Sequence, residues 1–116
     1  MNNYKTILQN INLTGFMPVV GIYKIMNLIT GKTYIGSSTN VYSRITQHVK
    51  DIINQTHYNK DILQDISIYG LRSFEVCLLE ECEEGFDELM KLEYEYINKY
   101  SELGISLYNL IGCRDI

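Results

Sequence analysis

Two short tripeptides constrain the fold more than any other stretch of the chain. Gly21-Ile22-Tyr23 and Tyr34-Ile35-Gly36 each hold a tyrosine and a glycine two positions apart, and the two tyrosines are eleven residues apart. Both tripeptides lie in runs of strand-forming residues, and turn-forming residues separate the runs. This pattern predicts a β-hairpin with strands over 19–26 and 32–37. Because glycine has no Cβ, Gly21 and Gly36 are predicted to mark points where the backbone is closely approached.

The bulk composition indicates one globular domain. The chain has 116 residues, 46% of them hydrophobic, which is enough for one core but not for two. Residues 1–18 are predicted as a lead-in, 19–112 as the domain and 113–116 as a tail. The longest apolar run is interrupted by polar residues, so no membrane contact is expected. The N-terminus lacks a signal-peptide pattern and the three cysteines lack CxxC spacing. These features predict an intracellular, reducing location: the cytoplasm of a bacterium or of a virus-infected cell, or an organelle.

The charge is unevenly distributed along the chain. The formal net charge of −4 by itself disfavours a nucleic-acid partner. However, residues 1–74 hold seven Lys/Arg against three Asp/Glu, whereas residues 75–116 hold three against eleven. A bipolar molecule with one phosphate-tolerant face fits this distribution, and so does a set of solvated charges without a specific role.

Three helices and a third strand are predicted to accompany the hairpin. Helical spacing of apolar residues, candidate N-caps before Val41 and a stop at Gly70 define the helices. The third strand alternates, with Phe74, Val76 and Leu78 on its core face. The predicted helices lie over 41–52, 59–69 and 86–100, and the strand over 73–80. The expected fold is α+β: a three-stranded antiparallel sheet flanked by three helices.

Two polar residues lie beside the apolar stripe of the first predicted helix. Arg44 and His48 are four apart and are therefore neighbours on one helix face. At about 100° per residue they fall on the flank of the stripe, from which a polar side chain can reach over an adjoining sheet. A surface arginine and a histidine packed at the helix edge would give the same pattern.

Glu93 is the one charged residue in the middle of the predicted apolar face of the last helix. At about 100° per residue, the apolar and aromatic residues of that helix that lie within roughly 60° of Glu93 are Phe86, Leu89, Met90, Tyr96, Ile97 and Tyr100. A buried carboxylate is costly unless it is paired or binds a metal. Three explanations stay open: a salt bridge, for which Arg44 is a candidate, a helix lying near the surface, and a metal or catalytic site.

Together, these residues resemble the GIY-YIG nuclease family, specifically the branch found in phage and organellar intron homing endonucleases. The resemblance covers about residues 20–109, and the two tripeptides match the motifs that name the family. His57, with Asn59 two positions later, is similar to the second-helix region of the intron-encoded branch. Four further positions follow in the family's order: Arg44, His48, Glu93 and Asn109.

The resemblance implies hydrolysis of a DNA phosphodiester bond with one divalent cation, Mg²⁺, or Mn²⁺ as a substitute. Glu93 is implied as the metal ligand, and Arg44 as the residue that binds phosphate oxygens and offsets developing charge. Tyr23 is implied as the general base, although its ordinary pKa of about 10 requires a nearby cation. Tyr34 and His48 are implied as helpers that relay or orient the proton of Tyr23.

The resemblance also implies residues that support the site and the substrate. Asn109 is expected to hold the site together by hydrogen bonds. The implied partner is double-stranded DNA, with an additional DNA-binding domain or a dimer partner to strengthen binding, because the basic half of the chain is modest. Further phosphate or DNA contacts are expected from Lys32, Ser37, Ser38 and His57.

A shared site requires Tyr23 and Tyr34 to lie on one face of the sheet. Side chains alternate between faces along a strand, so directly opposed residues must have numbers that sum to an odd value. We therefore predict an odd-sum register for the hairpin.

Three functions are consistent with the sequence. The leading one is a divalent-metal-dependent DNA endonuclease, either the nuclease domain of a homing-type enzyme or a free-standing relative. The alternatives are a structure-specific repair or restriction nuclease on the same fold, and an inactive DNA- or protein-binding module. Glu93 disfavours the last, because a binding role does not need that carboxylate.

Overall fold

The computed structural model describes residues 11–12 and 19–109. It confirms the predicted α+β fold, with three antiparallel strands flanked by three helices, and every predicted boundary of these elements lies within two residues of the observed one. The elements are β1 (Ile11–Asn12), β2 (Gly21–Asn27), β3 (Thr33–Ser38), α1 (Val41–Ile53), α2 (Lys60–Tyr69), β4 (Phe74–Glu81) and α3 (Phe86–Glu102). The rest of the predicted lead-in and the predicted tail fall outside the described residues. Within the described ranges, no helix has the length and apolar character that crossing a membrane requires.

The sheet has one strand more than the sequence predicted. Its order is β1-β4-β2-β3, with β2 antiparallel to both of its neighbours. The additional strand, β1, pairs in parallel with β4, placing Ile11 opposite Val76 and Asn12 opposite Cys77. A strand of two residues is too short to show an alternating pattern in the sequence. Its pairing also uses main-chain groups alone, which leave no mark on the choice of side chains.

The register of the hairpin is the predicted one. Tyr23 is opposite Gly36 and Ile25 is opposite Tyr34, so paired residue numbers sum to an odd value. Tyr23 and Tyr34 therefore lie on the same face, with ring centroids 6.4 Å apart. Between β2 and β4 the register shifts at Ile22/Tyr23, an irregularity beside the tyrosine.

Each face of the sheet carries one hydrophobic cluster of the domain. On one face, Tyr23 and Ile25 pack with the buried stripes of α1 and α2 and with Tyr108. On the other face, Ile22 and Ile35 pack with residues of α3. Thus α1 and α2 lie on one side of the sheet and α3 lies on the other.

The segment after α3 runs along the outer edge of β3. Thr33 donates its N–H to the carbonyl of Ser106 (3.0 Å) and accepts from the N–H of Tyr108 (2.7 Å), and Thr33 forms a parallel bridge with Leu107. This pairing covers part of an edge strand that would otherwise present unpaired main-chain groups.

Candidate active site

Five aromatic rings meet where β2 and β3 pack against α1 and the segment before α2. The hairpin supplies two tyrosines, α1 supplies His48, and the segment between α1 and α2 supplies a histidine and a third tyrosine. His48 lies close to both hairpin tyrosines, with its ring centroid 5.7 Å from that of Tyr23 and 5.4 Å from that of Tyr34. We call this group the tyrosine–histidine cluster; its members are Tyr23, Tyr34, His48, His57 and Tyr58.

The ring of Tyr23 crosses the backbone of Gly36. Tyr23 is only 1% exposed, and a Cβ added to Gly36 would lie 2.4 Å from the Oη atom of Tyr23. A Cβ on Gly21 would lie 2.3 Å from the carbonyl oxygen of Glu80. Both predicted close approaches are present. Their partners are groups of the protein itself, and at Gly36 the partner is the tyrosine of the neighbouring strand.

A chain of hydrogen bonds runs from a main-chain amide to the hydroxyl of Tyr23. The N–H of Asn59 donates to Nδ1 of His57 at 3.0 Å, so the proton of a neutral His57 is on Nε2. That proton is donated to Nδ1 of His48 at 2.6 Å, which in turn leaves the proton of a neutral His48 on Nε2. Nε2 of His48 is 2.7 Å from Oη of Tyr23. His48 therefore donates to the tyrosine oxygen and does not accept its proton.

Burial keeps both histidines neutral, as this chain of hydrogen bonds requires. Burial, followed by the charges of Arg44 and His57, lowers the pKa of His48 to about 3. Burial also lowers the pKa of His57, against the opposing charge of Asp51. At neutral pH, each imidazole thus holds one proton, and both protons point along the chain toward Tyr23.

Opposing effects act on the hydroxyl of Tyr23. Burial, the largest effect, raises the pKa of Tyr23 above its ordinary value, and Tyr58 and Glu93 raise it further. The Arg44 guanidinium lowers the pKa of Tyr23 through its charge and through a hydrogen bond. The pKa of Tyr34 is raised too, by burial and then by Tyr23 and Tyr58. Both tyrosines are therefore protonated at neutral pH.

His48 is buried more deeply than its predicted position on the flank of the apolar stripe. His48 is fully buried and belongs to the buried face of α1, whereas Arg44 is half-buried. The prediction that both lie on the flank of the stripe is therefore wrong for His48. Two hydrogen bonds, to Tyr23 and to His57, make this burial possible, because they satisfy both nitrogens of the His48 ring inside the core.

Both ring nitrogens of His57 have partners within the protein. His57 is fully buried, and these nitrogens are bonded to His48 and to the main chain of Asn59. In this arrangement His57 fixes the tautomer of His48, and the expected DNA contact at His57 stays a prediction.

The other predicted phosphate contacts have partners within the protein. Ser38 accepts the N–H of Asn40 at 2.9 Å, just before α1, where Asn40 is the N-cap. Lys32 lies 3.8 Å from a carboxylate oxygen of Asp61 and 5.0 Å from the ring centroid of Tyr108. Ser37 donates its hydroxyl to Oε1 of Glu93.

Glu93 is half-buried on a face of α3 that is only partly covered. Leu89 and Ile97, one turn before and one turn after it, are buried, but Phe86 is 65% exposed and Met90 is 38% exposed. The prediction that Glu93 lies in the middle of a buried face is therefore wrong at Phe86 and Met90. That opening leaves the carboxylate accessible while Ser37 holds one of its oxygens.

The candidate site straddles the edge strand β3. Tyr23 and Arg44 approach from the face covered by α1, whereas Glu93 approaches from the face covered by α3. The charge of Glu93 nevertheless acts on Tyr23, since it raises the pKa of that tyrosine, whereas the charge of Arg44 lowers it. Gly36, opposite Tyr23 in β3, adds no side chain at this position.

Comparison with known proteins identifies the family. The sequence profile described as the GIY-YIG catalytic domain matches residues 19–109, more than half of the chain. The chain belongs to the GIY-YIG family. Its structure is similar to that of the catalytic domain of the homing endonuclease I-TevI, with a TM-score of 0.70 and 26% identity over 78% of this chain and 97% of that one. A structure of the same I-TevI domain with a glutamate-to-alanine substitution gives a TM-score of 0.67 and 25% identity, over 76% of this chain and 90% of that one.

Asn109, the last residue of the GIY-YIG match, binds the hairpin directly. Its side-chain amide accepts the N–H of Ile35 and donates to the carbonyl of Ile35, both at 2.8 Å. Ile35 lies between Tyr34 and Gly36, so this pair of bonds fixes the strand that carries the family motif. The expected hydrogen-bonding position of Asn109 is present.

The sequence did not predict the part that two residues, Tyr58 and Asn59, have in the site. Tyr58 is bonded through its hydroxyl to Tyr34 and lies against His57. Asn59, quoted only for its spacing from His57, is a buried N-cap whose main chain directs the histidine chain. Asn59 before a helix carries a capping signal, whereas Tyr58 lies in a segment without periodicity and gives no comparable signal.

Proposed function

We propose that this GIY-YIG domain hydrolyses a DNA phosphodiester bond with one divalent cation, Mg²⁺ or Mn²⁺, held by Glu93. The observation that carries the proposal is the convergence on the Tyr23 hydroxyl: His48 is hydrogen-bonded to it, and the charges of Arg44 and Glu93 both act on its pKa. A tyrosine hydroxyl that can serve as the base, an arginine cation and a carboxylate are the groups that phosphodiester hydrolysis needs.

The donor set around Glu93 fits Mg²⁺. In the described ranges, no group of three or more His, Cys, Asp or Glu side chains is arranged to hold a metal. Mg²⁺ does not require such a group, because it keeps several waters and binds through one or two carboxylates together with substrate phosphates. A single half-buried carboxylate oriented by Ser37 meets that requirement. When bound, the cation polarises the phosphate and stabilises the leaving oxygen.

The residues of the tyrosine–histidine cluster prepare Tyr23 to take a proton from the attacking water. His48 donates to Oη of Tyr23, which stabilises the phenolate over the neutral hydroxyl. Arg44 acts in the same direction, and a planar guanidinium of this kind can fork onto phosphate oxygens. Burial opposes phenolate formation, so Tyr23 acts as a base in the small fraction of molecules in which it has lost its proton to solvent, and the charge of Arg44 increases that fraction. Tyr34 flanks His48 and limits the space around it.

The proposed substrate is double-stranded DNA, and the proposed setting is a homing-type endonuclease. The likeness to the catalytic domain of homing endonuclease I-TevI supports this setting. A net charge of −4 gives few phosphate contacts, so a further DNA-binding region or a second copy of the chain would supply most of the affinity. Cys77 and Cys82 are free thiols, which supports an intracellular location.

Incubation of the full chain with supercoiled plasmid tests this function. We expect nicked or linear products in Mg²⁺ or Mn²⁺ and none in a chelating buffer. Cleavage confined to branched or flapped DNA would support a structure-specific nuclease instead. Failure to cut any DNA under either metal would contradict the proposal and favour a binding module.

A further inference from the structure

Tyr58 is an exposed ring held against the tyrosine–histidine cluster. It lies between α1 and α2, just before the N-cap Asn59, and it is 57% exposed. One side of its ring is offset-stacked on buried His57, with centroids 4.8 Å apart and planes inclined by 18°. Its hydroxyl is bonded to that of Tyr34. The ring is thus fixed on two sides and open elsewhere.

This arrangement prepares the ring for a planar ligand. Single exposed aromatic side chains are ordinary in proteins, but most lose rotamer freedom when they bind a ligand. The stack on His57 and the bond to Tyr34 have already removed much of that freedom from Tyr58. Binding on its open side therefore requires little further ordering.

We infer that the open side of Tyr58 stacks against an unpaired nucleobase of the strand that lies in the site. This inference rests on the proposed function. Stacking on an aromatic ring accepts every base, because every base has a π-face. The ring of Tyr34 bridges the two positions, with its centroid 6.4 Å from that of Tyr23 and 6.4 Å from that of Tyr58. A nucleotide lying along Tyr34 can therefore direct its phosphate toward Tyr23 and its base toward Tyr58.

The platform gives the site a preference among DNA structures. A base can stack on Tyr58 only after it has left the double helix, and this step costs least where the base is unpaired or mismatched. Tyr58 therefore favours single-stranded, bulged or frayed DNA over fully paired DNA. The hydroxyl of Tyr58 helps to hold the ring but does not itself stack, so its loss should weaken this preference less than loss of the ring.

Binding without cleavage separates stacking from catalysis. The full chain, in metal-free buffer at low salt, is titrated into a fluorescently labelled single-stranded oligodeoxynucleotide and into the same strand in a full duplex. The variants are Tyr58→Ser, which removes the ring, and Tyr58→Phe, which keeps it. Tyr69→Ser is the matched control, because Tyr69 is also an exposed tyrosine (38%) but lies at the opposite end of α2.

We expect Tyr58→Ser to weaken single-strand binding about tenfold, with less than about twofold loss for the duplex. Tyr69→Ser should bind like the wild type, and Tyr58→Phe, which keeps the stack on His57 but loses the bond to Tyr34, should lose clearly less than Tyr58→Ser. Equal single-strand affinity of Tyr58→Ser and the wild type would overturn the inference. So would an equal loss on both DNA forms, or a loss in Tyr58→Phe as large as that in Tyr58→Ser.

The inference and the proposed function can fail separately. If the wild type cuts plasmid in Mg²⁺ but Tyr58→Ser binds single strands normally, only the stacking platform is contradicted. If the wild type cuts nothing but shows the Tyr58-dependent preference, the platform stands and the nuclease proposal fails.

Discussion

Tyr23 and Gly36 pair across β2 and β3, and the tyrosine ring occupies the space that a side chain at position 36 would fill. A Cβ at Gly36 would lie 2.4 Å from both Cζ and Oη of Tyr23, closer than any real contact. The glycine of the second tripeptide thus sets the position of the tyrosine of the first. This relationship explains why the two tripeptides act as one unit.

Gly36→Ala should therefore displace the Tyr23 ring from His48. We expect cleavage to fall by about 100-fold, since a displacement of this kind removes a catalytic group from its working position. Overpacking should also lower the free energy of unfolding by about 1–3 kcal/mol. Cleavage rates and urea unfolding measure the two effects. In a Tyr23→Ala background the stability cost should largely disappear, and an equal cost in both backgrounds would show that the clash is not with Tyr23.

The buried histidines should make stability depend on pH in the weakly acidic range. The unfolded chain takes up a proton on His48 below its ordinary pKa of about 6.5, whereas the folded chain holds the pKa of His48 at about 3. The stabilisation is therefore complete above pH 6.5 and decreases as the pH falls toward 3. Between pH 6.5 and 5 we expect a loss of about 2 kcal/mol from His48 alone.

Thermal or urea unfolding at several pH values checks this expectation. His48→Gln is the matched variant, because its amide can donate to Tyr23 and accept from His57 without titrating. Its stability should change less between pH 6.5 and 5 than that of the wild type. Identical slopes would show that His48 is not the buried neutral group.

The pH dependence of cleavage should identify Tyr23 as the titrating base. Because burial raises its pKa above the ordinary tyrosine value, only a small phenolate fraction exists at neutral pH. The logarithm of the cleavage rate should then rise by about one per pH unit between about pH 6 and 9. Tyr23→Phe should lower the rate roughly 100- to 10,000-fold. A rate that does not change between about pH 6 and 9 would instead point to one of the two neutral histidines as the base.

Asn109 should contribute to stability through the β3 edge. Asn109→Ala leaves the N–H and carbonyl of Ile35 without the two 2.8 Å bonds that they make now. We expect the free energy of unfolding to fall by about 1–3 kcal/mol. Asn98→Ala, at an exposed position of α3, is the control and should change stability by less than about 0.5 kcal/mol. If both variants unfold alike, the amide of Asn109 does not hold the strand.

The parts of the site that follow from local rules could be predicted from the sequence. The shared face of Tyr23 and Tyr34 follows from strand alternation once the register parity is chosen. A hydrogen-bonding role for Asn109 was implied by the family resemblance, whereas its partner in the hairpin was not. The helical phase of Glu93 was informative as well. It gives the direction of a side chain but not how far the opposing surface extends, so the exposure of Phe86 and Met90 was missed.

The parts that depend on docking could not be predicted. The burial of His48 depends on how α1 rests on the sheet, and the helical wheel of α1 contains no information about the sheet. His57 and Tyr58 lie in a segment without periodicity, and their contacts with His48 and Tyr34 join residues more than eight positions apart in the chain. Arrangements of this kind arise only when distant elements pack together.

Glu93 is the residue on which the proposed function depends most. Its carboxylate, oriented by Ser37 at the open edge of α3, is the proposed metal ligand, whereas Glu95 is exposed two positions further along the same helix. The most direct test compares plasmid cleavage in Mg²⁺ by the wild type, Glu93→Gln and Glu95→Gln. We predict that Glu93→Gln loses at least about 100-fold in rate and that Glu95→Gln cuts like the wild type. Equal cleavage by Glu93→Gln and the wild type would contradict the account.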